Sequence, residues 1–387
     1  MNFRRALAGI FLLQSACAVP LPSQPAVSLS LAGPPVAAEE TGQGFLYRVP
    51  SDAVSGGWQV QQWAMLGRED LGAATGDAEY HSRPCEPVSG SAAGIGAVID
   101  VIRTQAANRR VVIVNESHAV TRHRDTIRLL LEALRPLGFS VYAAETFSNS
   151  EDTPDPVNIH PERPWVHVME GYYTSEPVFG NLLRQVKMDG YRLVAYEETP
   201  AQAAPDSADR ATRIATRESA QAENIAAILA TMDADERLIV HVGYTHVSEV
   251  ETGGHLWMAA RLKAMTGIDP LTISQTLCST DEREPFLARL PEGEPAGLVD
   301  LVLSQPVARF DRSRPQWRRD AGYLDVPIPQ ELRDINTPLI VEAFRFGDPF
   351  EAVAIDRIYI EPNEDIPLLL PPGAYTVRGI LPPAEIE

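Results

Sequence analysis

Val-Val-Ile-Val-Asn-Glu-Ser-His, residues 111–118, is the stretch on which the fold turns. Its four β-branched residues form an unbroken apolar run. That describes a strand buried on both faces, as in a parallel sheet covered by helices. The run breaks directly into a carboxylate and an imidazole. The same pattern repeats downstream. A helix with Ile127, Leu130, Leu131 and Leu134 at helical spacing closes at Pro136 and Gly138. Further strands are expected at Phe139 to Ala144, Tyr191 to Tyr196, Leu238 to Val242 and Leu271 to Ile273. Between them lie helices marked by Phe179, Leu182, Leu183 and Val186, by residues 208 to 231, and by His255 to Thr266. Alternating strands and helices predict an α/β fold, a mostly parallel sheet with right-handed helical crossovers.

Outward from this centre the signals weaken. Ala92 to Ala107 reads as a helix, with Ile95, Val98, Ile99 and Ile102 on one face. Gly94-Ile95-Gly96 lies inside that pattern and comes after no strand, so it is not a dinucleotide fingerprint. Residues 46–90 are irregular but carry Tyr47, Trp58, Trp63 and Tyr80. The α/β domain is therefore expected over 46–290 and a small β-rich C-terminal extension over 296–387, where short apolar runs are broken by Pro and Gly. Residues 19–45, rich in Pro, Ala, Ser and Gly, are expected to be a flexible tether.

The first residues have the form of an export signal: Arg4 and Arg5, an apolar run from Ala6 to Leu13, then small residues. Cleavage comes after the Ala16-Cys17-Ala18 triplet, or else Cys17 is lipidated and becomes the first mature residue. Gln14 stands where a lipobox usually has an aliphatic residue. An exported protein is expected, reaching the membrane only through a lipid anchor at Cys17. Two cysteines then remain, Cys85 and Cys278, either paired or as separate buried thiols; their spacing is no zinc signature. The formal net charge of −19 over 387 residues repels nucleic acid and anionic membranes. A small-molecule or peptide partner is expected instead.

Ligands of open parallel sheets sit beyond the carboxyl ends of the strands. The first expected strand ends in Asn115, Glu116, Ser117 and His118, the second in Glu145, the third in Glu197 and Glu198, and the fourth in Gly243, Tyr244, Thr245 and His246. If the strands are neighbours, these side chains converge. Such a cluster can shuttle protons near neutral pH or hold a divalent metal through Glu116, His118, Glu145 and His246. No Gly-x-Ser-x-Gly elbow points to a serine hydrolase. His123 is expected at the surface, His241 in the core, and His160 and His167 in a flexible loop with Tyr172 and Tyr173 nearby.

On these residues the chain resembles the erythromycin esterase and ChaN-like superfamily. Residues 111–118 look like its opening motif, Phe139 to Glu145 like its second strand with a terminal glutamate, Thr216-Arg217-Glu218 like its helix arginine motif, and His241 to His246 like its late glycine–histidine motif. The resemblance covers about 108–277, under half the chain. Asn115 departs from it, standing where the family usually has glycine. The resemblance implies catalytic Glu116, His118, Glu145, Arg217 and His246 in a hydrolase acting on an ester or amide. Tiki-type relatives add metal-dependent peptide cleavage, with a spacing that Gly243 to His246 fits. ChaN-type relatives imply the alternative, a haem- or iron-binding lipoprotein without turnover; in that case Tyr172 or Tyr173 of the loop is a candidate haem ligand, against the expectation of a plain flexible loop.

Overall fold

The computed structural model describes residues 26–50, 57–76, 80, 83–149 and 159–383. The expected signal segment and Cys17 lie outside them. Among the described residues no helix is long and apolar enough to cross a membrane.

The central sheet is α/β and largely parallel, as expected. Its strands run in the spatial order Arg192–Val194, Phe139–Ala144, Arg237–Gly243, Val111–Glu116, Leu271–Ser274, Leu301–Pro306 and Ser279–Thr280, with Phe286–Ala288 antiparallel to Leu301–Pro306. Every residue of Val111–Glu116 is buried. Alternate side chains serve opposite layers. Val112, Val114, Tyr142, Ala144 and Ile239 meet the helices Ile95–Ala106, Arg122–Leu134 and Pro177–Met188. Val111, Ile113, Val141, Ala143 and Val240 meet Arg210–Thr231 and Met258–Thr266. Each such branched side chain contributes roughly 1.5–3 kcal/mol on burial.

Two helix starts position the site. Pro177 opens its helix after Glu176, whose carboxylate accepts from Val178 N and Phe179 N. Asp209 caps the long helix through Thr212 N at 2.7 Å.

A second sheet runs in the order Val27–Leu31, Gly373–Leu381, Leu339–Arg345 and Asp356–Ile360. This corrects two expectations. The supposed tether supplies an edge strand: Val27–Leu31 pairs in parallel with Gly373–Leu381, and Ala38 is fully buried. Backbone pairing along a single register holds this segment, although its composition is poor in large apolar residues. The boundary near 290–296 also moves. Leu301–Pro306, read as part of the extension, pairs in parallel with Leu271–Ser274 and belongs to the central sheet. The irregular 46–90 stretch contains the helices Gly57–Met65 and Glu69–Ala74. Cys85 and Cys278 form a disulfide, their Cα atoms 5.9 Å apart.

Candidate functional site

Strand order explains why the expected residues meet. Val111–Glu116 and Arg237–Gly243 are direct neighbours with Glu116 opposite Gly243, and Phe139–Ala144 flanks the latter with Ala144 opposite His241. The carboxyl ends of these three strands therefore lie together. Glu116, His118, Glu145, Arg217 and His246 all belong to the resulting cluster.

Glu116 is buried and fully engaged. Its Oε1 lies 3.0 Å from His118 Nδ1 and accepts from Arg124 Nη2 at 3.0 Å; its Oε2 accepts from Arg124 Nε at 2.8 Å. His241 Nε2 stands 3.0 Å from the same Oε2, and its Nδ1 is 2.8 Å from the Tyr142 hydroxyl. Burial alone would raise the Glu116 pKa, but Arg124, His241 and His118 hold it well below the carboxylate range. Arg124 is itself buried and turns its remaining nitrogen to Glu176 at 2.8 Å.

A carboxylate at Nδ1 makes that nitrogen the protonated one, so His118 offers a lone pair at Nε2. The ring is clamped, stacked on Tyr173 at 4.0 Å and met edge-on by Tyr244 at 4.9 Å. Nε2 faces Gly243. A Cβ added to Gly243 would stand 2.8 Å from His118 Nε2 and 2.8 Å from Glu145 Oε2. The glycine is needed for that close approach, since its backbone is ordinary extended chain, with φ −86° and ψ 148°. The residue in the left-handed region is the next one, Tyr244, at φ 41°. A tyrosine held there costs on the order of 1–3 kcal/mol and marks a backbone fixed by its surroundings.

Glu145 Oε2 accepts from Gly243 N at 2.5 Å and Oε1 from Arg217 Nη2 at 2.8 Å. Burial opposes its ionisation, but His246, Arg217 and His118 prevail and lower its pKa to about 2. Arg217 also binds Glu197, through Nε at 3.0 Å and Nη2 at 2.5 Å. His246 Nδ1 is 2.8 Å from Glu218, and its Nε2 is 3.7 Å from Glu145. Burial would lower the His246 pKa, but Glu145 and Glu218 raise it. The 3.3 Å approach of Arg217 Nη1 to His246 Nε2 would suit a neutral ring. The two carboxylates bracketing the ring favour its charged form, with Arg217 and His246 both turned towards Glu145.

These charges fit a metal poorly. Glu116 is neutralised by Arg124 and Glu145 by Arg217, so a dication would meet guanidinium groups in its own coordination shell. Among the described residues no three His, Cys, Asp or Glu side chains are placed to hold a metal ion. The expected metal set of Glu116, His118, Glu145 and His246 is thus a charge-paired network.

Other expectations resolve individually. His123 is buried, not superficial; its Nδ1 accepts from Ser117 N at 3.0 Å, and desolvation lowers its pKa to about 3. His241 is a core residue, as expected, and also steadies Glu116. Asn115 sits within the strand, where its side chain fastens the strand ends: Nδ2 donates to Tyr244 O at 2.6 Å and Thr276 Oγ1 at 2.8 Å, and Oδ1 accepts from Gln275 N at 2.6 Å. His160 pairs with Glu162 at 3.4 Å and His167 accepts from Met169 N, so both serve their own loop. Arg124, Glu176 and Glu218 were missed. Only Glu218 had a signal, as the neighbour of Arg217.

Fold and site together define an α/β protein with a carboxylate–histidine–arginine cluster at the carboxyl ends of parallel strands. The chain matches no family model and no curated protein. Among solved structures it is similar to "Bacterial protein toxins" (TM-score 0.33, 13% identity, covering 45% of this chain and 36% of that one). RRSP, a MARTX toxin effector domain from Vibrio vulnificus CMCP6, gives 0.34 and 12%, covering 54% and 37%. The type III effector HopBA1 gives 0.34 and 14%, covering 59% and 99%. The chain spans little more than a third of the first two. The chemistry is therefore read from the site's own geometry.

Proposed function

We propose that this chain is a metal-independent hydrolase of esters or amides, with His118 as general base. The observation that carries the reading is the line Arg124–Glu116–His118, which leaves His118 Nε2 as a basic atom turned to Gly243 beside Glu145. A carboxylate that fixes the tautomer and stabilises the imidazolium is the logic of acid–base triads. Water gives its proton to Nε2 while its oxygen attacks the carbonyl carbon. The negative charge that develops on the carbonyl oxygen is met by Arg217 and protonated His246. The imidazolium then returns the proton to the leaving oxygen or nitrogen. Glu116 is buried and wholly paired, so it is a positioning residue. Glu145, ionised down to about pH 2, holds Arg217 and His246 in place. A cavity of about 320 Å³ lies next to the cluster, lined by Ser117, Tyr244, Tyr80, Gln275 and Cys278, although His118 and Glu145 are not part of its wall.

The disulfide supports an exported protein, because such bonds persist in oxidising compartments. The test is a panel of ester and peptide substrates against wild type and His118→Ala. Turnover that survives chelator treatment and is lost in the variant supports the reading. Turnover retained in His118→Ala, or abolished by chelator, overturns it.

A further inference from the structure

Behind the site lies a second cluster of buried charge that the proposed chemistry does not use. Arg314, Arg318 and Arg357 are all nearly or fully inaccessible to solvent. Arg314 donates to Gly67 O and Asp356 Oδ1, Arg318 to the same Oδ1 and to Leu369 O, and Arg357 to Glu342, Met65 O and Ser175 O. Each still has one buried nitrogen without a partner: Arg314 Nε, Arg318 Nε and Arg357 Nη2. Leaving a charged donor unsatisfied costs roughly 1–3 kcal/mol or more, so three in one place call for an occupant.

All three side chains line one cavity of about 10 Å³, together with Glu69, Thr121, Glu176 and Asp356. That is room for a single water-sized particle. The charge around it selects which. Three guanidinium groups face three carboxylates, so the lining is neutral when Glu69 is ionised and carries one positive charge when Glu69 is protonated. Glu69 Oε1 accepts from Thr121 Oγ1 at 2.6 Å, with Glu176 and Arg318 as its nearest charged neighbours and Arg314, Arg357 and Asp356 across the cavity. Burial, joined by the charge of Glu176, outweighs Thr121 and Arg318 and lifts its pKa to about 7.

We propose that this cavity is a binding site for a small monovalent anion of the halide class, with chloride the physiological occupant, and that Glu69 takes up a proton as the anion binds. The orphaned N–H groups supply the donors, and protonation of Glu69 supplies the charge balance. Water satisfies the donors while Glu69 is ionised, but once Glu69 is protonated it leaves the buried positive charge uncompensated, and an anion then supplies the balance. Through Glu176 and Arg124 the cavity is joined to Glu116, so occupancy bears on the rigidity of the catalytic line.

The experiment pairs two readouts on the disulfide-intact mature protein. Crystals grown in bromide at pH 6 are measured for anomalous scattering in the cavity. Tm is compared in chloride and gluconate at equal ionic strength from pH 6 to 8.5. The expected result is a bromide peak among the three arginines and a Tm roughly 2–5 °C higher in chloride at pH 6, fading by pH 8.5. In Glu69→Gln the chloride effect persists at both pH values. A cavity holding only water, with no chloride–gluconate difference at pH 6, overturns the proposal.

Discussion

His118 Nδ1 stands 3.0 Å from Glu116 Oε1, and that carboxylate is held from behind by both Arg124 and His241. The base is therefore aimed by a group that never meets solvent. Glu116→Gln keeps the shape but offers an amide where the imidazole needs an anion. Activity against any substrate that wild type hydrolyses should fall roughly a hundredfold to ten-thousandfold, chiefly in kcat. Because Arg124 loses one of its two carboxylates, stability should also drop by on the order of 3 kcal/mol. Steady-state kinetics beside urea unfolding checks both. Unchanged kcat with lowered stability would make Glu116 purely structural.

Gly243 tests the geometry from the other side. An added methyl meets His118 Nε2 and Glu145 Oε2 at 2.8 Å, and it cannot be relieved by rotation because both partners are fixed. Gly243→Ala should fold, with a stability loss of about 1–3 kcal/mol, yet lose hydrolysis more severely than that loss explains. A variant with wild-type kcat/KM would show that the space over Gly243 is not where the reaction occurs.

Arg217 controls charge, and its removal has a defined sign. In wild type Glu145 titrates near pH 2, below its unfolded value, so it contributes stability above the unfolded pKa that is lost as pH falls towards 2. His246 is shifted upward, so its contribution is present below its unfolded pKa and lost as pH rises through the folded one. Arg217→Gln should move the Glu145 carboxyl upward, towards ordinary values, visible in carbon-13 NMR titration of labelled glutamate. No movement would mean that His246 and His118 set its ionisation without Arg217.

The legible part of the fold was the part that depends on local pattern. Val111 to Val114 reads as a doubly covered strand because both of its faces are apolar. Glu116, Glu145 and His246 were found because strand ends are where ligands collect. The order of the strands was not legible, and it is the order that unites them: Arg237–Gly243 inserts between Val111–Glu116 and Phe139–Ala144. Buried ions were not legible either. Arg124, with a charged side chain on a helix, has the composition of a surface residue and becomes a core residue only because Glu116 and Glu176 lie on either side of it. Val27–Leu31 does alternate apolar and polar residues, Val-Ser-Leu-Ser-Leu, but it lies in a stretch rich in Pro, Ala and Ser whose composition masked that pattern, and its partner strand is more than three hundred residues away.

The Cys85–Cys278 bond closes a sequence separation of 193 residues. It ties the approach to Ile95–Ala106 to the segment just beyond Leu271–Ser274. Restricting an unfolded loop of that size contributes roughly 5 kcal/mol in the chain-entropy account. Reduction, or a Cys85→Ala/Cys278→Ala variant, should lower the urea midpoint by a corresponding amount. An unaltered midpoint after complete reduction would mean that packing of Phe286, Ala288 and Val302 around Cys278 carries the region without the bond.

His123 supplies the last test, through acid. Burial lowers its pKa to about 3, with Arg124 and Arg122 adding to the shift against the opposing pull of Glu116. The unfolded chain takes up this proton near pH 6.5, whereas the folded chain refuses it until about pH 3. Stability from this residue is therefore complete above pH 6.5 and declines steadily as pH falls to 3, by on the order of a few kcal/mol. His123→Asn keeps an acceptor for Ser117 N and has nothing to titrate. It should be less stable than wild type at pH 7.5, where a well-packed ring is lost, but its stability should fall less steeply between pH 6.5 and 4. Parallel slopes for the two proteins in urea unfolding over that range would assign the acid sensitivity to another group.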